Sequence, residues 1–340
     1  GHVVQPSEKL YKKACLIERG SFRPLTKVNL DMLEKAKSQF VARKDVEAER
    51  VEVFMELTLR SLLNEGDIDY KDFIARIEVI NSCGYGVLVS NYLEYFKLSS
   101  YLRRYVRNPI GLVLGLNNLA DIFKEDYYLK LEGGILEAFG KLFKDNVKIY
   151  AYPIELKNFE RYRKQMGIGD NVETVMDQNR DGLVTIDNLL VAGNLRNLYK
   201  YVRENGFLVT IENCDRTNMN LFSRDIFELV CNRTEGWKEN LPKCVSEMIE
   251  SKNFTFDKII PFTLKKSKIR GRFVKLDNSI SKILNRHNYE LPIALSLSEI
   301  LSVSCCIGSL LKFNGNFIIQ GSSKEILLSL IHISEPTRLL

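Results

Sequence analysis

The stretch "YGVLVSNYLEYFKLSSYLRRYVRNPIGLVLGLNNLADIF", residues 85–123, decides the fold. Two runs within it, "YGVLVSN" and "IGLVLG", are short, rich in Val, Leu and Ile, and bounded by Asn, Gly and Pro, as strands buried on both faces are. The segments that follow them, "YLEYFKLSSYLRRYV" and "NLADIF", carry apolar residues at spacings of three and four, the period of a helix with one buried face. Strand, helix and strand in succession imply a crossover between parallel strands. Working outward, "VEVFMEL" from Val51 and "VKIYAYPI" from Val147 read as further strands, and "YKDFIARIEVINSCG" from Tyr70 and "GGILEAFGKLFKD" from Gly133 as further helices. The expected architecture over residues 1–250 is therefore α/β, a largely parallel sheet with covering helices. "LTKVNLDMLEKAKSQFVARKDVEAE", from Leu25, reads as an additional charged helix, and "NLYKYVRENG" and "LFSRDIFELVCNRTEGW" as a helical close.

The whole chain of 340 residues is long enough for two domains, and 45% hydrophobic with 27% charged residues is the balance of a globular protein. A net charge of +6, with both signs interleaved, leaves no basic footprint, so no nucleic-acid partner is expected. Seven cysteines contain no C-x-C or C-x-x-C pair, which suggests neither a zinc knuckle nor a disulfide framework and points to a reducing cytoplasm. The chain opens "GHVVQPSEKL", with no apolar signal segment, and reads as a fragment lacking its true start. Its most apolar stretch, Ile300 to Leu311, is shorter than the ~20 residues of a membrane span and is expected to be a buried helix, with no membrane partner.

Ligands of such sheets sit at the carboxyl ends of the strands. The candidates there are Asn91 and Tyr92 after "GVLVS", Asn117 and Asn118 after "IGLVLG", and Tyr152 after "VKIYA"; each position also suits a helix cap. Gly133 and Gly134 start a helix and could admit a phosphate, although no G-x-G-x-x-G or P-loop spacing accompanies them. Three histidines and no paired carboxylates leave acid/base and triad chemistry unplaced. "DQNRDGLVTIDN" sets Asp177, Asn179 and Asp181 at positions one, three and five of a calcium-loop pattern, with Gly182 at six and Thr185 at nine. The twelfth position is Asn188 rather than Glu, so the expectation is either a weak calcium site or an Asp/Asn/Gly turn.

From Phe256 the character changes. "FDKIIPFTLKKSKIRGRFVKL" is strand-like and basic, with Ile269, Gly271 and Phe273 on one face and Arg270 and Arg272 on the other. A helix follows over "NSISKILNRHNY", then Pro292 begins "IALSLSEILSVSCCIGSLL", apolar nearly all round and expected at the centre of a core, with Cys305 and Cys306 as small buried residues. The segments "IPFTLKKSKIRGRFVKL", "ILNRHNYELPIA", "LSEIL" and "SLLKFNGNFIIQ" resemble, in order and spacing, the start of the redox-regulated thirty-three-kilodalton heat-shock chaperonin family. That resemblance implies a partial N-terminal chaperonin domain over 256–326, a truncated α/β segment that binds unfolded client proteins in the bacterial cytoplasm under stress. The family's zinc domain, with its C-x-C and C-x-x-C thiolates, has no counterpart in this sequence, so zinc is not expected.

Residues 1–250 resemble a set of uncharacterised bacterial α/β proteins, some labelled nicotinate-nucleotide adenylyltransferase and some TonB-dependent receptor. The H-x-G-H phosphate motif of the first class does not occur here, and alternating strands and helices do not fit the barrel of the second. The final segment, from Leu328 to Leu340, contains "LSLIHISEPTR", which resembles the translation of a sequencing adapter and is expected to be an adapter-derived tail. The late start of the chaperonin resemblance then reads as a gene fusion or as an artefactual join. The leading functional expectation is a partial holdase joined to an α/β domain. Its rivals are an α/β enzyme acting on a nucleotide-like or phosphorylated small molecule, and a regulatory module with a weak calcium loop.

Overall fold

The computed structural model describes residues 3–59, 63–64, 67–68, 70–166, 172–174, 182–191, 193–232, 234–251, 257–264, 269–276, 278–284, 287, 289–311, 316–322 and 328–334. It divides into two compact units, Gly1–Ser251 and Lys252–Leu340.

The first unit is built on a six-stranded parallel sheet. Its strands are β1 (Ala14–Arg19), β2 (Val51–Thr58), β3 (Gly86–Ser90), β4 (Ile110–Gly115), β5 (Val147–Tyr152) and β6 (Leu208–Thr210). Their spatial order is β6-β5-β4-β1-β2-β3. The chain runs outward from β1 to β3, returns to the free side of β1 with β4, and runs outward again. This is the doubly wound order, and its switch point lies between β1 and β4.

The crossovers are helical because parallel neighbours cannot be joined by a tight turn. Helix α1 (Lys27–Val41) joins β1 to β2, α2 (Tyr70–Ser82) joins β2 to β3, and α3 (Tyr95–Leu102) joins β3 to β4. Helices α4 (Leu116–Ile122) and α5 (Gly134–Leu142) lie between β4 and β5, and α6 (Leu156–Met166) and α7 (Arg196–Glu204) between β5 and β6. Helices α8 (Ser223–Asn232) and α9 (Lys243–Ser251) close the unit.

Two sequence readings change here. The strand β1 was not expected, because the Glu18–Arg19 pair interrupts its apolar run; it is nevertheless central and is buried from Ala14 through Glu18. The helix expected over residues 25–49 is shorter, and it is the first crossover rather than an addition. Its Met32, Leu33, Ala36 and Phe40 are buried. It lies so close to the sheet that a Cβ on Gly111 would come within 2.6 Å of Leu16 and 3.1 Å of Phe40 and Tyr150. The opposite face of the sheet, with Ile17, Leu112, Leu114 and Ile149, shares one apolar cluster with Leu98, Leu102, Leu119, Phe123 and Phe139.

A third reading is corrected by a disulfide between Cys83, just after α2, and Cys244 in α9. The partners stand 161 residues apart in sequence, so no local cysteine spacing announces the pair.

In the second unit β7 (Lys258–Leu264) and β8 (Ile269–Lys275) form an antiparallel ribbon, followed by α10 (Asn278–Leu284) and α11 (Leu291–Gly308). Strands β9 (Asn316–Ser322) and β10 (Leu328–Ser334) pair antiparallel with each other. Helix α11 was expected at the centre of a core. It packs on β8 and α10 along a single stripe, Leu297, Leu301, Ser304 and Gly308, while Leu291, Leu295, Val303 and Ile307 are exposed. Cys305 and Cys306 are half-buried rather than buried. A two-stranded ribbon offers one face, which can cover only one side of a helix that is apolar all round. By length and composition alone this 18-residue helix is also long and apolar enough to cross a membrane, longer than the stretch read from the sequence.

Candidate functional site

The C-terminal edge of the parallel sheet gathers an unusual number of charged and polar side chains. Glu18 and Arg19 end β1, Glu56 lies near the end of β2, and Ser90 ends β3. Arg19 binds both carboxylate oxygens of Glu56, one of them from NH2 at 2.9 Å. It also donates to the carbonyls of Leu93 at 2.6 Å and Tyr92 at 2.9 Å, and stacks on the Tyr95 ring at 4.3 Å. Ser90 donates to the same Glu56, which has no exposed surface. A buried charge pair of this kind persists only because each partner is fully hydrogen-bonded.

Glu18 points to the other face of the sheet, into the first turn of α1. Its Oε1 accepts from Asn29 Nδ2 at 2.9 Å, and the Asn29 Oδ1 in turn accepts from the Thr26 amide at 3.1 Å and hydroxyl at 2.8 Å. The Glu18 Oε2 is buried without a partner. Burial pushes this carboxyl up to about 8, with the Asn29 amide pulling it the other way.

The residues expected at the strand ends fall as follows. Tyr92 gives its carbonyl to Arg19, takes a bond from its own N–H to Ser90 Oγ at 3.3 Å, and lays its ring 5.3 Å from that of Tyr101. Asn91, beside it, is exposed. Asn117 and Asn118 lie in the first turn of α4, and the Oδ1 of Asn117 is buried without a partner. Tyr152, at the end of β5, is buried and donates to Asp31 Oδ2 at 2.6 Å, an oxygen that also accepts from the Asp215 amide at 2.9 Å. Burial raises the Tyr152 hydroxyl well above the usual phenol range, with the Asp31 carboxylate adding to it.

Gly133 and Gly134 begin α5 as expected, but the first turn already holds an anion. The Gly133 amide donates to Glu137 Oε2 at 3.0 Å, and Lys141 holds the other oxygen at 2.6 Å. Of the calcium-loop residues, Asp177, Asn179 and Asp181 lie outside the described residues. Thr185 sits in a turn: its hydroxyl accepts from the Asp187 amide at 3.2 Å, and the Asn188 side chain bonds the Thr185 amide at 2.7 Å and the Leu183 carbonyl at 2.8 Å. Among the described residues no group of three or more His, Cys, Asp or Glu is placed to hold a metal ion. A four-thiolate zinc centre does not fit the cysteines, since the adjacent pair Cys305–Cys306 provides no C-x-C or C-x-x-C spacing.

Sequence reasoning missed Glu18, Arg19, Asp31, Glu56 and Thr210, whose hydroxyl is a further buried polar group without a partner. The available signal was a charged pair closing an apolar run, "ACLIER", immediately before a helix.

The first unit is thus a doubly wound α/β domain with a polar strand-end crevice, and the second is a small ribbon-and-helix unit. Residues 257–335 match the family model described as Hsp33 protein, a match that runs on into the segment from Leu328. The 33 kDa chaperonin of Caulobacter vibrioides (strain NA1000 / CB15N) is 38% identical over 64 residues, which cover 19% of this chain and 21% of that protein. The 33 kDa chaperonin of Pseudomonas syringae pv. tomato is 32% identical over 79 residues, 23% of this chain and 26% of that one. The chain therefore spans about a fifth to a quarter of the length of the curated relatives it matches. Among solved structures, a Plasmodium falciparum nicotinic acid mononucleotide adenylyltransferase covers 71% of this chain and 96% of its own length, at 13% identity and a TM-score of 0.36.

Proposed function

We propose that the second unit binds apolar segments of unfolding proteins, in a bacterial cytoplasm under stress. The observation that carries this reading is the outer face of the β7–β8 ribbon. Cross-strand register sets Ile260 opposite Phe273 and Phe262 opposite Gly271, so Ile260, Phe262, Ile269 and Phe273 share one face. That face is open to water, with Phe262 44% and Phe273 59% exposed, while Arg272 on the other face bonds Ser309 just after α11 at 3.2 Å. A contiguous apolar face on a ribbon is a surface for binding, and the match to the Hsp33 model supports unfolded chains as its ligands. Light scattering from a thermally denaturing client enzyme tests it. Suppression by the full chain, weakened in a Phe262→Ser/Phe273→Ser variant, is expected; no suppression at molar excess overturns it.

A second reading concerns the first unit, as a domain that binds a nucleotide-like or phosphorylated small molecule. It is favoured by three buried polar atoms without partners, Glu18 Oε2, Asn117 Oδ1 and Thr210 Oγ, all near carboxyl ends of strands of one sheet. Buried polar groups are rarely left unbonded away from a ligand or water. Thermal-shift measurements with a nucleotide and sugar-phosphate panel should find a stabilising compound, because a ligand that binds only the native state raises the midpoint. A flat response at millimolar concentrations sinks it.

A further inference from the structure

The two bonded cysteines of the first unit occupy opposite ends of their helices. Cys244 is the second residue of α9. The first hydrogen bonds of that helix run from the Val245 and Ser246 amides to the Pro242 carbonyl, each at 3.0 Å, so Cys244 lies in the turn whose free N–H groups form the positive end. Lys243 precedes it, with its side chain in solvent and its ammonium 3.6 Å from Glu247. Cys83 directly follows α2. Its amide bonds the Ile80 carbonyl at 3.2 Å, the Gly84 amide bonds Asn81 at 3.0 Å, and Gly84 at φ +84° ends the helix, which places Cys83 at the negative end. Both cysteines are half-buried and within reach of a small thiol, whereas Cys15 is fully buried.

The geometry points to a thiol–disulfide exchange site at Cys83–Cys244, in which Cys244 is the thiolate partner and exchange with a low-molecular-weight thiol/disulfide couple fastens or releases α9. A positive helix end stabilises a thiolate, and the sulfur that makes the more stable thiolate is the better leaving group. An external thiolate therefore attacks Cys83 Sγ. The new external S–S bond forms, the Cys83–Cys244 bond breaks, and its electron pair leaves on Cys244 Sγ. A second external thiolate attacks the external sulfur of the mixed disulfide. Cys83 leaves as a thiolate and takes a proton, and the external disulfide carries away the oxidising equivalent. Formation of the clip runs in reverse, with Cys244 attacking the mixed disulfide on Cys83. Leu241, Val245 and Ile249 remain buried beneath α9 in either state, so reduction loosens the helix rather than unfolding the unit.

Differential alkylation of the full chain, read site by site in a mass spectrometer, tests this. In the reduced protein at neutral pH, iodoacetamide should modify Cys244 about tenfold faster than Cys83, the ratio for a thiol lowered by about one pKa unit. A brief pulse of oxidised glutathione should leave an adduct on Cys83 that converts to the Cys83–Cys244 bond, and in Cys244→Ser the adduct should persist. Equal or inverted alkylation rates, an adduct confined to Cys244, or two free thiols after prolonged excess of oxidised glutathione would each overturn the assignment. The alkylation rates use the unaltered sequence, so they decide the matter even where Cys244→Ser fails to fold.

Discussion

Glu18 has no exposed surface, one oxygen on Asn29 and one oxygen without a partner, and its carboxyl is raised from 4.5 to about 8 by burial. Such a group makes the folded state hold a proton that the unfolded chain gives up. Below pH 4.5 both states are protonated and nothing is lost. Between 4.5 and about 8 the unfolded state binds fewer protons than the native one, so stability falls as pH rises, by about 1.4 kcal/mol per unit at full difference. Above about 8 the native carboxyl ionises too and the loss levels off. Glu18→Gln keeps the shape of the neutral acid and removes this proton. Its melting temperature should match that of the unaltered chain near pH 5 and exceed it increasingly towards pH 8. Parallel melting curves for the two proteins across that range would show that Glu18 is not held neutral. Arg19, the next residue, is the contrasting case: its charge is retained because Glu56 and two carbonyls receive every bond it offers.

Between elements, close approach decides what the sheet tolerates. Gly111 on β4 lies under α1, where an added Cβ meets Leu16 at 2.6 Å and two aromatic rings at 3.1 Å, with Phe40 and Tyr150 themselves in an edge-on pair 5.9 Å apart. None of these is the free end of a flexible chain, so Gly111→Ala should destabilise by about 1–3 kcal/mol, read as a lower urea midpoint with unchanged slope. A midpoint within error of the parent would mean that α1 can lift off the sheet at little cost. The same region shows what the sequence could and could not reveal. The strands β2 to β5 are continuous apolar runs and were legible as such, because strands of a parallel sheet are buried on both faces. The strand β1 carries the same apolar run but ends in Glu18 and Arg19, and local periodicity cannot tell a buried ion pair from a solvated strand end. The partners that make those charges tolerable, Asn29, Glu56 and the carbonyls of Tyr92 and Leu93, come from other elements and appear only once the sheet is assembled. Helix α11 fails in the opposite sense. Its pattern truthfully reports apolar surface all round, but burial depends on what is available to cover it, and the described part of its unit covers one stripe.

At the scale of the whole chain the two units differ in how much core they own. The apolar cluster of the first unit runs from Leu10 to Leu208 and takes in all six strands and helices from both halves of the sheet, and the Cys83–Cys244 bond closes within the same unit. Among the described residues of the second unit, Leu297 and Leu301 are the only fully buried apolar side chains. Ordering a backbone costs about 1–2 kcal/mol per residue, and each buried Leu returns only about 1.5–3 kcal/mol. Two such residues cannot offset the ordering of the second unit, while the first has a core of ordinary size. A fragment of residues 1–251 should therefore unfold in one cooperative transition close to that of the full chain, and a fragment of residues 252–340 should show no cooperative transition by circular dichroism. The apolar side chains that leave the second unit weak, Phe262, Phe273, Leu295 and Val303, are the ones offered to a client, so the two properties should move together. An added unfolded polypeptide that binds this surface should sharpen a melting transition in the 252–340 fragment, since binding to the ordered form favours it. A sharp transition in that fragment without any client would show that its surface is not an unsatisfied core, and the client-binding reading would then have to rest on the ribbon face alone.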